Sequence, residues 1–392
     1  MSKILFVIPD MSWLYDYKSQ FSLGILYLAK KIRDYGWEVD IYDTNVNPIE
    51  DVPNVDIYAF SVVTPTYKNS VELAKVCRKV NPQADIIIGG VHVTLDFDNI
   101  DSVFDCKFIG ESENTIIEYI KDWESSTQKE FYIQTEEVSL DNLVPDRSIL
   151  EDSYVRTGSI FTGGKTYDEN GSTSIMFSRG CPYKCVFCAS PKIYKGVRFR
   201  NVDDIVDEIK NINDVYGIRQ FRVQDDTFTL KKSFLRELCE KIKPLNVFYR
   251  CSTRVNHVDE ESIKLLYESG CREIGIGVEV ANDEALKILQ KGININMIER
   301  AISIIRKYPI MIRCFFMIGL PFDSDEIMQD NIDFLERNNI ENAVFCNLIP
   351  LKGTALYDEK ERFNITYINE DGCMNLASHI PLQPNIERAD IT

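Results

Sequence analysis

Three cysteines, Cys181, Cys185 and Cys188, stand in the spacing C-x3-C-x2-C directly after an apolar run that ends at Phe177. Thiolates are soft ligands suited to iron–sulfur clusters, and a cubane cluster that only relays electrons normally takes four of them. Three leave one iron open, and an open iron can chelate a substrate, which turns an electron relay into a catalytic centre. A structural zinc is the competing use. It asks for a fourth ligand, usually in paired C-x2-C knuckles, and no other cysteine or histidine lies within 40 residues on either side. Three thiols buried as packing residues are the remaining alternative, and the spacing favours the cluster.

With the aromatic Phe187 before its last cysteine, the pattern resembles the radical S-adenosylmethionine (SAM) enzymes. The resemblance implies that the three cysteines hold a [4Fe-4S] cluster whose open iron binds the amino and carboxylate groups of SAM. It further implies that reduction splits SAM into methionine and a 5′-deoxyadenosyl radical, that Phe187 lies against SAM, and that an external reductant of flavodoxin or ferredoxin type feeds the cluster.

Such a site needs a scaffold, and the chain is long enough to supply one. Its 392 residues suggest two or three domains, each able to bury a core. A formal charge of −17 argues against a general affinity for nucleic acid or an anionic membrane. No apolar run reaches membrane-spanning length, and Met1 leads straight into the apolar Ile4 to Ile8 without a cleavage site. Eleven cysteines spread through apolar segments of a large chain fit reduced thiols, so a cytoplasmic location is expected.

Residues 1–125 alternate short apolar runs with helical patterns and predict five strands of a parallel, flavodoxin- or Rossmann-like α/β sheet. Ligands of such sheets lie at the carboxyl ends of the strands. Those ends carry Thr64 and Thr66, then Gly89, Gly90, His92 and Thr94, then Glu111 and Glu113. By themselves these are the glycines and capping residues that any α/β domain needs. The loops Gly-Gly-x-His-x-Thr and Gly-Glu-x-Glu-x-Thr, with Ser22 to Ala29, also resemble the cobalamin-binding domain that precedes the barrel in one radical SAM subfamily. The resemblance implies that these eight residues surround cobalamin. The better-known cobalamin domains carry a cobalt-ligating histidine in the loop after the first strand. Here that loop, Pro9 to Tyr17, has none, which implies a lower corrin face without a nitrogen ligand. His92 is expected to be a hydrogen-bonding residue of its loop.

Residues 126–171 show no sustained periodicity and are expected to form a linker, with Asn170 and Gly171 as a two-residue hairpin turn. From 172 to 360 strands and helices alternate as in an open, partial (β/α)6 barrel, with the cysteine loop after its first strand. Asp225 and Asp226 follow the second strand. Either can cap the next helix, and the family resemblance implies that this pair contacts the SAM amino group. Arg254 ends the third strand, where a guanidinium can take a carboxylate bidentately, such as that of the SAM methionyl group. Glu279 ends the fourth and could accept both hydroxyls of a ribose. A buried salt bridge to Arg254 is the alternative. Cys251, Cys271, Cys314 and Cys346 are expected to be buried, inert thiols. Lys184, Lys192, Lys195, Arg198 and Arg200 form a basic group that either faces phosphates or a carboxylate or lies solvated on the surface. Residues 361–392 read as a short irregular tail.

The sequence thus predicts a cobalamin-dependent radical SAM enzyme acting on a small or medium-sized substrate. Methylation of an unactivated carbon is the leading expectation, with cyclisation or rearrangement second. A corrinoid or iron–sulfur carrier without turnover is third, and it would need none of Asp225, Asp226, Arg254 and Glu279.

Overall fold

The computed structural model describes residues 2–11, 18 and 21–365. Residues 12–17 of the loop Pro9–Tyr17, the tail beyond residue 365 and His379 lie outside the described residues. Among those described, no helix is long and apolar enough to cross a membrane.

The amino-terminal sheet contains β1 (Lys3–Ile8), β2 (Glu38–Asp43), β3 (Ile57–Ser61), β4 (Asp85–Gly89), β5 (Cys106–Ile109) and β6 (Phe131–Ile133). All six run parallel, in the order β2-β1-β3-β4-β5-β6. Strand parity sorts the core. Ile4, Phe6 and Ile8 pack against Ile25 and Ile32 of helix Leu23–Tyr35 and Ile116 and Ile120 of helix Thr115–Glu124. Leu5 and Val7 point the other way, with Leu73, Ala74 and Cys77 of helix Tyr67–Val80. Both faces are covered, so the strands read as apolar runs. The strand order reverses between β1 and β3, which opens a crevice at the carboxyl ends there. The sixth strand lies within the expected linker.

The second sheet begins with β7 (Ser172–Ile175). A two-stranded antiparallel ribbon follows, β8 (Ser178–Arg179) with β9 (Arg198–Phe199). Then come β10 (Gln220–Val223), β11 (Phe248–Thr253), β12 (Cys271–Glu279), β13 (Met311–Ile318) and β14 (Ala343–Asn347). Strands β7 and β10 to β14 are parallel neighbours in chain order, with β7 and β14 as edges, which is the open six-stranded barrel expected. Phe221, Tyr249, Cys251, Ile274 and Ile276 face the outer helices. Arg222, Arg250, Ser252, Glu273 and Gly275 have the opposite parity and face the lumen.

Two local expectations fail. The first barrel strand stops at Ile175 rather than reaching Ser178, because the Phe177 N–H turns to the Asp225 carboxylate at 2.8 Å. The chain then enters the ribbon through Gly180, whose φ of 88° and contact with the Gly196 carbonyl exclude a side chain. Asn170 and Gly171 do not close a two-residue hairpin. The antiparallel bridge is Thr157 with Ser172, and it spans a longer loop.

Buried ion pairs join the parts. Glu208 accepts from Arg147 Nη1 at 2.7 Å and from Arg200 Nη1 at 2.5 Å, and all three side chains are buried. These guanidiniums also donate to the Ser174 and Met176 carbonyls, tying linker, helix Val202–Tyr216 and β7 together. Arg200 therefore serves the core and not a phosphate. Glu208→Ala would strand two buried cations, and a loss of about 3–5 kcal/mol is expected. Asp40→Ala, which removes an exposed partner of Lys3, should cost less than about 1 kcal/mol. Urea unfolding of both variants measures the difference, and equal small losses would refute the assignment.

Candidate functional site

The cysteine loop is pinned from two directions. Val186 donates its N–H to the Leu289 carbonyl at 3.2 Å and accepts from the Leu356 N–H at 2.9 Å. Cys185 is buried, and Cys181 and Cys188 are half-buried. Burial pushes the Cys188 thiol up to about 11, with Asp226 and the other two thiols adding to the effect. Arg254 Nη1 lies 3.3 Å from Cys185 Sγ, and Cys181 Sγ is 3.7 Å from Thr227 Oγ1. A cation against one sulfur suits an anionic thiolate–iron centre. Among the described residues no three His, Cys, Asp or Glu side chains converge on a single ion. A cubane, which takes each thiolate on a different iron, does not ask for such convergence, so these residues fit the cluster.

Arg254 is more engaged than expected. Its guanidinium stacks 3.8 Å over the Tyr183 ring, and Tyr183 is fixed by His257 Nε2 at 2.5 Å and Asn256 Nδ2 at 2.7 Å. Nη2 donates to the Lys291 carbonyl, and Nε is buried without a partner. Nη1 and Nη2 each keep a second N–H, so with Nε three donors of this guanidinium remain for a carboxylate.

The two aspartates separate. Asp225 is buried, accepting from Phe177 N–H at 2.8 Å and from the Ser178 hydroxyl at 2.5 Å, so it orders the strand end. Asp226 is open along one edge and lines the main cavity, with Oδ2 accepting from Ser190 at 2.5 Å. Loss of water where this carboxylate backs onto the cysteine loop raises its pKa.

Glu279 is paired, though not with Arg254. Its partner is Lys291, buried beside it. The β12 register shifts between Gly277 and Glu279, and Glu279 has a φ of 67°, a conformation costly for a residue with a side chain. Glycine at 277 makes the pair possible: a Cβ there would lie 2.7 Å from Lys291 Nζ. Lys291 also sits 5.8 Å from the centre of the Phe187 ring, which brings Phe187, Glu279, Lys291 and Arg254 into one group. Lys291 escaped the sequence reading because only its charge, 12 residues past Glu279, marked it.

A cavity of about 470 Å³ lies where the carboxyl ends of the first sheet meet the β7–β8 region. Thr66, Gly89, Gly90, Thr94, Glu111 and Glu113 line it from one side, and Ser178, Arg179, Tyr194 and Asp226 from the other. With glycine backbone on one wall and apolar Phe6, Ile8 and Leu23 deeper in, it fits a flat macrocycle such as a corrin. Thr64 and His92 do not line it. His92 Nδ1 is 3.3 Å from Thr64 Oγ1, its ring is 4.1 Å from that of Tyr67, and burial lowers its pKa. Glu111 and Glu113 border the cavity with their carboxylates already bound. Arg179 reaches both at 2.7 Å, and Arg198 reaches Glu111 at 2.7 Å. Arg198 thus serves the domain contact, and Lys195 donates to the Thr135 carbonyl. Cys251, Cys271 and Cys314 are buried, whereas Cys346, on edge strand β14, is exposed.

Changing Cys185 to Ala should abolish binding of a four-iron cluster, whereas Cys251→Ala should leave iron content unchanged. Iron and sulfide analysis after anaerobic reconstitution decides, and a full cluster in Cys185→Ala would overturn the assignment. Asp225 gives a second test. Burial lifts its carboxyl from 3.8 to about 6. A raised folded-state value means that this group favours the fold below about pH 4 and that the contribution is lost as pH rises through 6. Asp225→Asn, neutral throughout, should flatten the pH dependence of unfolding of the cluster-free protein between pH 4 and 6.5, by about 3 kcal/mol across that window. An unchanged slope would contradict it.

Comparison with known proteins agrees with this fold. Residues 175–335 match the radical SAM superfamily and residues 18–120 the B12-binding domain. A bacteriochlorophyllide d C-12(1)-methyltransferase of Chlorobaculum tepidum is 28% identical over 319 residues, 79% of this chain and 67% of that relative. A cytidylyl-2-hydroxyethylphosphonate methyltransferase of Streptomyces wedmorensis is 25% identical, covering 86% of this chain and 77% of its own length. Among solved structures, the radical SAM methyltransferase TsrM of Kitasatospora setae, with tryptophan and a SAM analogue bound, shares the fold. Its TM-score is 0.74 at 16% identity, over 93% of this chain and 77% of that one. The chain accordingly belongs to the radical SAM superfamily in its B12-binding form, and it is an enzyme whose cofactors are a [4Fe-4S] cluster, SAM and cobalamin.

Proposed function

We propose that this enzyme transfers a methyl group to an unactivated carbon of a small or medium-sized molecule. One observation carries the reading: Asp226, at the barrel mouth beside the cysteine loop, and Gly89, Gly90 and Thr94, at the ends of the first sheet, border a single cavity. Two reacting groups held on opposite walls of one space lose little further entropy on meeting. When bound, SAM at the cluster supplies a hydrogen-abstracting radical and cobalamin supplies a methyl group.

In this reading Cys181, Cys185 and Cys188 hold the cluster. Asp226 takes the SAM amino group, while Asp225 fixes the strand end that carries it. Glu279, poised by Lys291, accepts from the ribose, and Phe187 and Arg254 wall the same group. Thr66, Gly89, Gly90 and Thr94 receive the corrin, and Arg179, Glu111 and Glu113 hold the two walls together. The working division is a cobalamin domain at 1–125, a connector at 126–171, the barrel at 172–360 and a tail at 361–392, with β6 of the connector completing the first sheet. A flavodoxin- or ferredoxin-type reductant in the cytoplasm suits an oxygen-sensitive cluster. The methyltransferase relatives support the reaction class.

Counting SAM tests it. Each methylation should consume one SAM to give methionine and 5′-deoxyadenosine and another to give S-adenosylhomocysteine. With the true substrate, and uncoupled cleavage subtracted, the two nucleosides should form in about equal amounts, and a deuterated SAM methyl should enter the product. Product formed with 5′-deoxyadenosine but without S-adenosylhomocysteine or label would replace methylation by cyclisation or rearrangement.

A further inference from the structure

Arg254 is a buried cation without a carboxylate. It is 6% exposed, and among the described residues no ion pair reaches it. Arg147, Arg179 and Arg200 are as deeply buried, and each is paired with a glutamate. A buried charge is costly unless an opposite charge meets it. What Arg254 meets is sulfur: Nη1 lies 3.3 Å from Cys185 Sγ, and Cys185 is itself buried.

Uncharged groups hold the guanidinium on that sulfur. Nη2 donates to the Lys291 carbonyl, and the guanidinium lies 3.8 Å over the Tyr183 ring. Tyr183 stands between Cys181 and Cys185 on the cysteine loop, and its hydroxyl is fixed at both ends. Asn256 Nδ2 donates to it at 2.7 Å, which leaves the hydroxyl's own proton for His257 Nε2 at 2.5 Å. Asn256 and His257 belong to the short turn that directly follows Arg254. One stretch, 254–257, thus supplies both the cation and the two groups that orient the ring beneath it.

Reduction of an iron–sulfur cluster adds a negative charge to a centre already ringed by thiolates. A cation that donates to one of those sulfurs stabilises the reduced form more than the oxidised one and raises the potential. Burial strengthens the effect, because water screens it less.

We propose that Arg254 raises the reduction potential of the cluster through its hydrogen bond to Cys185, and that Tyr183 is the positioning residue that keeps the guanidinium there. The proposal rests on Cys185 being a cluster ligand. It gives Arg254 a task that needs no SAM, and its remaining N–H groups stay available to SAM.

The test is a redox titration of the full chain, anaerobically reconstituted with cluster and cobalamin and free of SAM, followed by the electron paramagnetic resonance signal of the reduced cluster. Arg254→Gln should shift the reduction equilibrium tenfold or more toward the oxidised form, a fall of about 59 mV or more for one electron. Arg254→Lys, which keeps the charge and loses the planar stack, should recover part of the fall. Tyr183→Leu should lower the potential in the same direction, and Tyr183→Phe, which keeps the ring, should lie between it and wild type. Added to Arg254→Gln, Tyr183→Leu should change nothing further, because the tyrosine acts through the arginine. Iron and sulfide content should match wild type throughout. An unchanged potential in Arg254→Gln would overturn the proposal, as would loss of the cluster in any of these variants. So would a Tyr183→Leu shift that persists in the double variant, since that would reflect water reaching the cluster. Iron content in Cys185→Ala decides the ligand assignment separately, so a failure of either reading is recognisable.

Discussion

The arrangement depends on the buried contact of Arg179 with Glu111 and Glu113. Arg179 stands two residues before Cys181, and the two carboxylates stand on the loop after β5 of the other sheet. One guanidinium thereby couples the position of the cysteine loop to the wall of the cavity. A charge in such a place is expensive to bury and more expensive to leave unpaired, so the two walls are held at one separation or the contact is lost altogether. Arg198 on the ribbon adds a second grip on Glu111, and the Lys352–Asp96 pair a further one after the last barrel strand. Chemistry that passes a group between two cofactors needs this fixed spacing more than it needs the last kilocalorie of stability.

Much of the scaffold was legible because doubly covered parallel strands write themselves as apolar runs: Ile57–Ser61 and Asp85–Gly89 show this plainly. Elements that lack such a signal were missed. Strand β6 has three residues, with Phe131 and Ile133 exposed, and lies at the sheet edge. The β8–β9 ribbon has two residues on each side. The ion pairs were invisible for another reason. Arg179 and Arg198 meet Glu111 across 68 and 87 residues of chain, and no local pattern records a partner at that distance. The basic group after the cysteine loop therefore read either as an anion site or as a solvated surface, whereas its arginines are spent on Glu111 and Glu208.

The aspartate pair could have been resolved from sequence by parity. Phe221 and Val223 are apolar and must face the helices, while Arg222 and Gln224 are polar and must face the lumen. Continuing the alternation past the strand end sends Asp225 to the buried side and Asp226 to the open side, and the burial along 221–226 follows that alternation. Two identical side chains thus acquire different chemistry from one step along the backbone. The parity argument does not reach Glu279, because the irregularity in β12 after Gly277 resets it, and the partner Lys291 arrives from a separate loop.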